Sequence, residues 1–111
     1  MDYHYGIDIC HETLRKLSTA GSIDERIFRA FDEFEVATED DFSADHWRER
    51  NEILARYEAV SPANFTNAGG KAVDPTAVAE NLALLAEDLV NLCVDIITYN
   101  TEMLNEPDRE K

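Results

Sequence analysis

Asp74-Pro75 and the residues after it, DPTAVAENLALLAEDLVNLCVDIITYNTEML over positions 74–104, decide the fold. Val78, Leu82, Leu85, Leu89, Leu92, Ile96, Tyr99 and Met103 recur there at alternating spacings of four and three. That is one face of an α-helix. Asp74 suits the N-cap and Pro75 the first helical position, where a missing N–H costs nothing. At 1.5 Å per residue, a helix from Pro75 to about Leu104 is roughly 45 Å long. Leu84, Ala86, Val90, Cys93, Val94 and Ile97 widen its expected buried face. Asn81, Asp88, Asn91, Asp95, Thr98 and Glu102 leave one narrow polar side. A helix so apolar needs cover over most of its surface. It is therefore expected to be central to the bundle and to pair in part with a second copy, giving a homodimer through helix 75–104.

Three shorter helices precede it. In the first, about Tyr3 to Ser18, Ile7, Cys10, Leu14 and Leu17 share a face, and Gly21 follows its end. The second starts at Ser22, where Ser22-Ile23-Asp24-Glu25 reads as a capping box. Its Ile27, Phe28, Phe31 and Phe34 form a stripe expected in the core, and it should fade near Ala37. The third follows Ser43 as N-cap. Trp47, Ile53, Leu54, Tyr57 and Val60 mark its inner side, and Ser61-Pro62 stops it. A connector runs from Ser61 to Val73. With only four glycines and three prolines in 111 residues, and no internal repeat, the expectation is all-α: one compact four-helix bundle domain over 1–111, with a frayed tail from about 106.

Charge narrows the function. The chain carries 24 acidic against 10 basic residues, a formal net charge of −14. Direct nucleic-acid binding needs clustered Lys and Arg, and an anionic membrane surface attracts the same residues, so neither partner is expected. No apolar run has the length of a membrane span, and Met1 to Tyr5 lack a basic, then apolar, signal segment, so a cytoplasmic location is expected. Cys10 and Cys93 lie in apolar-patterned segments without metal-ligand spacing and read as buried thiols.

Between Arg29 and Arg48 there is no base, while Asp32, Glu33, Glu35, Glu39, Asp40, Asp41 and Asp45 lie in that window. Phe42, in the connection beside Asp40 and Asp41, has the least evident reason to face the core. Glu35, Glu39, Asp40, Asp41, Phe42 and Asp45 are therefore the expected partner-binding set. The carboxylates would steer a basic protein partner and the ring would anchor it. From Ala72 to Asp108 there is again no Lys or Arg. Short, acidic, helical immunity proteins, antitoxins and inhibitors work in this manner, some by occupying a nucleic-acid-binding groove with carboxylates in place of phosphates.

Reactive chemistry has little to stand on. His4, Asp8 and His11 share a face of the first helix, but no fourth ligand is evident, and neither a metal nor a cofactor is expected. No Gly-x-Ser-x-Gly occurs, and neither cysteine sits where its pKa would fall. A non-enzymatic chain is expected. One enzymatic alternative starts from Glu49-Arg50-Asn51-Glu52. This Glu-x-x-Glu resembles the first motif of the all-α nucleotide pyrophosphohydrolases of the MazG type. They add a Glu-x-x-Asp on the next helix to hold Mg²⁺ against a phosphate chain. The resemblance covers four residues; Glu87, Asp88 and Asp95 follow in Leu-rich sequence without the second motif's spacing. A plain helical dimerisation module is the remaining alternative.

Overall fold

The computed structural model describes residues 2–60 and 75–105, and there it is an all-α, four-helix fold. Helix α1 is Tyr3–Leu17, α2 Ile23–Phe34, α3 Ala44–Val60 and α4 Pro75–Leu104. A single 3₁₀ turn, Glu39–Asp41, lies between α2 and α3. The expected connector 61–73, the cap at Asp74 and the tail beyond 105 lie outside the described residues.

The first three helices each begin where a side chain can take up free amides. Asp2 caps α1, its Oδ1 accepting from the Tyr5 N–H at 3.0 Å. Ser22 caps α2, accepting from the Glu25 N–H at 3.5 Å. The second half of the expected capping box gives way to an ion pair, since the Glu25 carboxylate is held by Arg29 at 3.3 Å. Ser43 caps α3 through the His46 N–H at 3.2 Å. Between α1 and α2 the chain turns at Gly21, whose φ of +129° is a conformation that side-chain-bearing residues rarely adopt.

The core follows from helical periodicity. Ile27, Ala30, Phe31 and Phe34 form the inner face of α2, and Phe31 stacks on Tyr57 of α3 at 4.3 Å between centroids. Leu82, Leu85, Leu89, Leu92, Cys93 and Ile96 form that of α4. Helix α1 adds Ile9, Cys10, Thr13 and Leu17, and α3 adds Ile53, Leu54 and Tyr57. Thr13 is completely buried and loses nothing by it, because its hydroxyl donates to the Ile9 carbonyl at 2.8 Å.

Three expectations fail. Phe28 was placed in the α2 stripe but is 58% exposed. At 100° per residue it stands a full step from Ile27, outside the arc that Ala30, Phe31 and Phe34 complete. On α4, Leu84, Val90 and Val94 do not widen the buried face; they are exposed, with Ala86 and Ile97 half-buried beside them. Helix α2 also ends at Phe34, short of Ala37. Among the described residues, no helix is long and apolar enough to cross a membrane.

Candidate partner-docking surface

The 3₁₀ turn is tied down from three sides. Its Thr38–Asp41 capping box is closed, with the Asp41 Oδ2 accepting from the Thr38 N–H at 2.7 Å. Asp2 donates its N–H to the Asp40 carbonyl at 2.8 Å. The Asn100 amide, from α4, donates to the Asp41 carbonyl at 3.1 Å. This anchoring turns Asp41 inward and carries the next residue, Phe42, fully into the core, against Phe34 and Trp47. Burial of a whole aromatic ring is among the largest apolar gains available to one residue, and nothing in the connection opposes it. Asp41 and Phe42 therefore cannot touch a partner. The expected anchor ring is a core residue.

Of the other expected residues, Glu35, Glu39, Asp40 and Asp45 are exposed. Asp45 pairs with Arg48 at 2.8 Å, both side chains well exposed, a contact worth at most about 0.5 kcal/mol. The base-free window in sequence is also not base-free in space. Arg50 reaches from α3 and donates to the Glu35 carbonyl at 3.1 Å, which caps the C-terminal end of α2. Its guanidinium lies over the Trp47 ring, 4.4 Å from the centroid. Burial pulls the Arg50 pKa below the ordinary guanidinium value, and the nearby Glu35 opposes that shift. Asp32, Glu33, Glu35, Glu39 and Asp40 enter no ion pair among the described residues.

These free carboxylates have an aromatic neighbour after all. Phe28, Asp32 and Glu35 stand at i, i+4 and i+7 on the outer side of α2, all three exposed. Val36, 52% exposed, follows at the end of the same helix. The outer face of α2 thus offers one large apolar ring with carboxylates on the turns after it. The sequence concealed this because Phe28 also satisfies an i, i+3 spacing with Phe31. Only the identity of Ala30 as the fourth inner residue excludes it.

A second acidic region lies between α3 and α4. Glu49, Glu52, Arg56, Asp88, Asn91 and Asp95 line a groove of about 250 Å³. The fold thus brings the Glu-x-x-Glu of α3 opposite two carboxylates of α4, while Glu87 falls in a different groove. Arg56 bridges the two helices to Asp88 at 2.7 Å. Among the described residues no group of three or more His, Cys, Asp or Glu is placed to hold a metal ion, the His4, Asp8 and His11 face included.

In the interior, Cys10 and Cys93 are fully buried free thiols that meet across α1 and α4. The Cys93 thiol and burial push the Cys10 pKa well above the ordinary thiol range. Such a thiol is a poor nucleophile. No protein-family model, no curated protein and no solved structure matches the chain significantly.

Proposed function

We propose that the chain is a non-enzymatic interaction protein that uses the outer face of α2 and the following 3₁₀ turn to occupy a basic surface of a partner protein. One observation carries this reading: Phe28 stands exposed at 58% with Asp32 and Glu35 on the same helix face, neither carboxylate in an ion pair among the described residues. Covering the exposed part of such a ring is favourable by roughly 1–2 kcal/mol, a gain that docking supplies. Unpaired carboxylates around it attract a cationic surface and hold its orientation. The chemistry fits an inhibitor, immunity or antitoxin-type protein whose partner presents an apolar pocket rimmed by Lys and Arg, including one that otherwise grips phosphates.

The test is affinity for such a partner as a function of salt and of Phe28. Binding that weakens tenfold or more in Phe28→Ala, and falls with ionic strength in the parent protein but less in Asp32→Asn/Glu35→Gln, supports the reading. Affinity untouched by both variants refutes it.

A second reading starts from the α3–α4 groove, which Glu49, Glu52, Asp88 and Asp95 line without coming together as a metal-holding group. It is a Mg²⁺-dependent nucleotide hydrolase of the all-α kind. Its weak point is that Arg56 occupies Asp88. Calorimetric titration with Mg²⁺ and a nucleoside triphosphate, repeated on Glu52→Gln, decides it: no heat of binding in the parent protein ends this reading.

A further inference from the structure

Cys10 and Cys93 are the chain's two cysteines, and the fold sets them against each other from opposite ends of the sequence. Helix α1 runs antiparallel to α4. Near its start the Tyr3 carbonyl accepts from the Asn100 amide at 3.3 Å, and at its end Leu17 lines one groove with Ala86. Between them, two helical turns or about 10.5 Å inward from the Tyr3–Asn100 bond on each helix, lie Cys10 and Cys93. Tyr3, Cys10 and Leu17 thus stand level with Asn100, Cys93 and Ala86, in steps of seven residues that return to nearly the same helix face. Both thiols are fully buried, and they are hydrogen-bonded to each other.

We infer that Cys10 and Cys93 are a modification site: exchange with a small-molecule disulfide such as oxidised glutathione joins them into one disulfide that staples α1 to α4. This inference is independent of the α2 docking reading, since neither residue lies on α2.

The geometry permits the bond. A disulfide needs Cα atoms about 4.4–6.8 Å apart. Helix axes packed about 8–10 Å apart, with Cα atoms about 2.3 Å from each axis, bring level and facing Cα atoms within that reach. Helix α1 keeps the approach close, because Gly6, Cys10 and Thr13 are small and buried along one side of it. A Cβ added to Gly6 would stand 2.6 Å from Asn100 Nδ2 of α4.

The chemistry balances in two exchanges. One cysteine gives its proton to solvent, and its thiolate attacks a sulfur of oxidised glutathione. The glutathione S–S bond breaks, a mixed disulfide forms and one glutathione thiol leaves. The second cysteine, likewise deprotonated, attacks the protein sulfur of that mixed disulfide, and the second glutathione leaves. The chain loses two hydrogens, and its two electrons reduce the oxidant. With both positions fully buried, the closed core has no room for a glutathionyl group, whereas the intramolecular bond adds no atoms. The packing of α1 on α4 therefore drives the second exchange to completion. The same burial keeps the oxidant out of the closed fold, so the reaction runs during folding or through opening of α1. In the unfolded chain, closing a loop of roughly 80 residues disfavours the bond by about a thousandfold in the equilibrium constant, a restriction the fold has already imposed.

Refolding the full chain from urea in a glutathione redox buffer, followed by acid quenching and alkylation, tests this. The expected product has no alkylatable thiol, a mass lower by two hydrogens, and a cross-linked peptide pair from α1 and α4 on proteolysis. At a fixed glutathione ratio, the proportion of disulfide to dithiol should be about a thousandfold higher for the folded chain than for the chain held in urea. The oxidised chain should keep the helical circular dichroism spectrum of the reduced one and melt about 10 °C or more above it. Cys93→Ala, left with one thiol, should gain nothing in melting temperature from the same treatment. A glutathione adduct or a covalent dimer as the main product, an equal proportion of disulfide with and without urea, or an oxidised chain that melts no higher than the reduced one overturns the inference.

Discussion

Gly6 and Asp41 are in backbone contact: a Cβ added to Gly6 would fall inside the contact distance of the Asp41 carbonyl oxygen and 2.6 Å from Asn100 Nδ2. The N-terminal turn of α1, the 3₁₀ turn and the C-terminal turn of α4 converge at this point. The Asn100 amide donates to both the Asp41 carbonyl and the Tyr3 carbonyl, at 3.1 and 3.3 Å. This junction is what turns Phe42 inward and leaves Glu39 and Asp40 outside.

Gly6→Ala should therefore destabilise the fold by about 1–3 kcal/mol, the cost of overpacking a backbone contact. In an unobstructed helix the same change would stabilise by about 0.5–1 kcal/mol. Urea denaturation distinguishes the two by sign.

Leu89 is completely buried at the centre of α4. Leu89→Ala is expected to cost about 2–5 kcal/mol, whereas Val94→Ala, on the outer face, stays within about 0.5 kcal/mol. Thermal melts of the two variants side by side provide the comparison, and equal losses would mean that the inner and outer faces of α4 are misassigned.

Ser22 accepts only one long bond, 3.5 Å, and Glu25 is engaged by Arg29. Ser22→Ala should then cost about 0.5 kcal/mol, the low end for a lost cap. A loss near 2 kcal/mol in chemical denaturation would show that the cap is stronger than its geometry.

Burial and the Cys93 thiol raise the Cys10 pKa in the folded state. The folded protein holds that proton more tightly than the unfolded chain does. The stabilisation is complete below the unfolded thiol's ordinary value, about 8.5, and is lost as pH rises above it toward the folded value. Unfolding free energy should fall between about pH 9 and pH 11, more steeply in the parent than in Cys10→Ala. Ellman's reagent should react with neither thiol until the chain unfolds, and rapid native-state labelling would contradict the assignment.

Much of the architecture was legible because the signals were local. The 4-3 alternation and Pro75 placed α4 to the residue, and Ser22 and Ser43 marked true helix starts. What failed depended on contacts between distant residues. Phe42 turns inward because Asn100, 58 positions later, holds the preceding carbonyl. Arg50 enters the acidic corner from another helix. Neither has a signature along the chain. Phe28 and Val94 failed for a different reason: near the edge of an apolar arc, a residue belongs inside or outside according to where the neighbouring helix lies. The acidic character of the candidate surface was visible in composition, but its ring was not.

The docking surface is tested most directly by NMR titration of the isotope-labelled protein with a synthetic amphipathic helical peptide, lysines and arginines along one side and leucines along the other, at low salt. The expected result is a set of shifted amides centred on Phe28, Asp32 and Glu35, reversed by salt and lost in Phe28→Ala. Shifts spread evenly over the carboxylates of all four helices and unaffected by Phe28→Ala would contradict it, leaving the acid excess as nothing more than bulk charge.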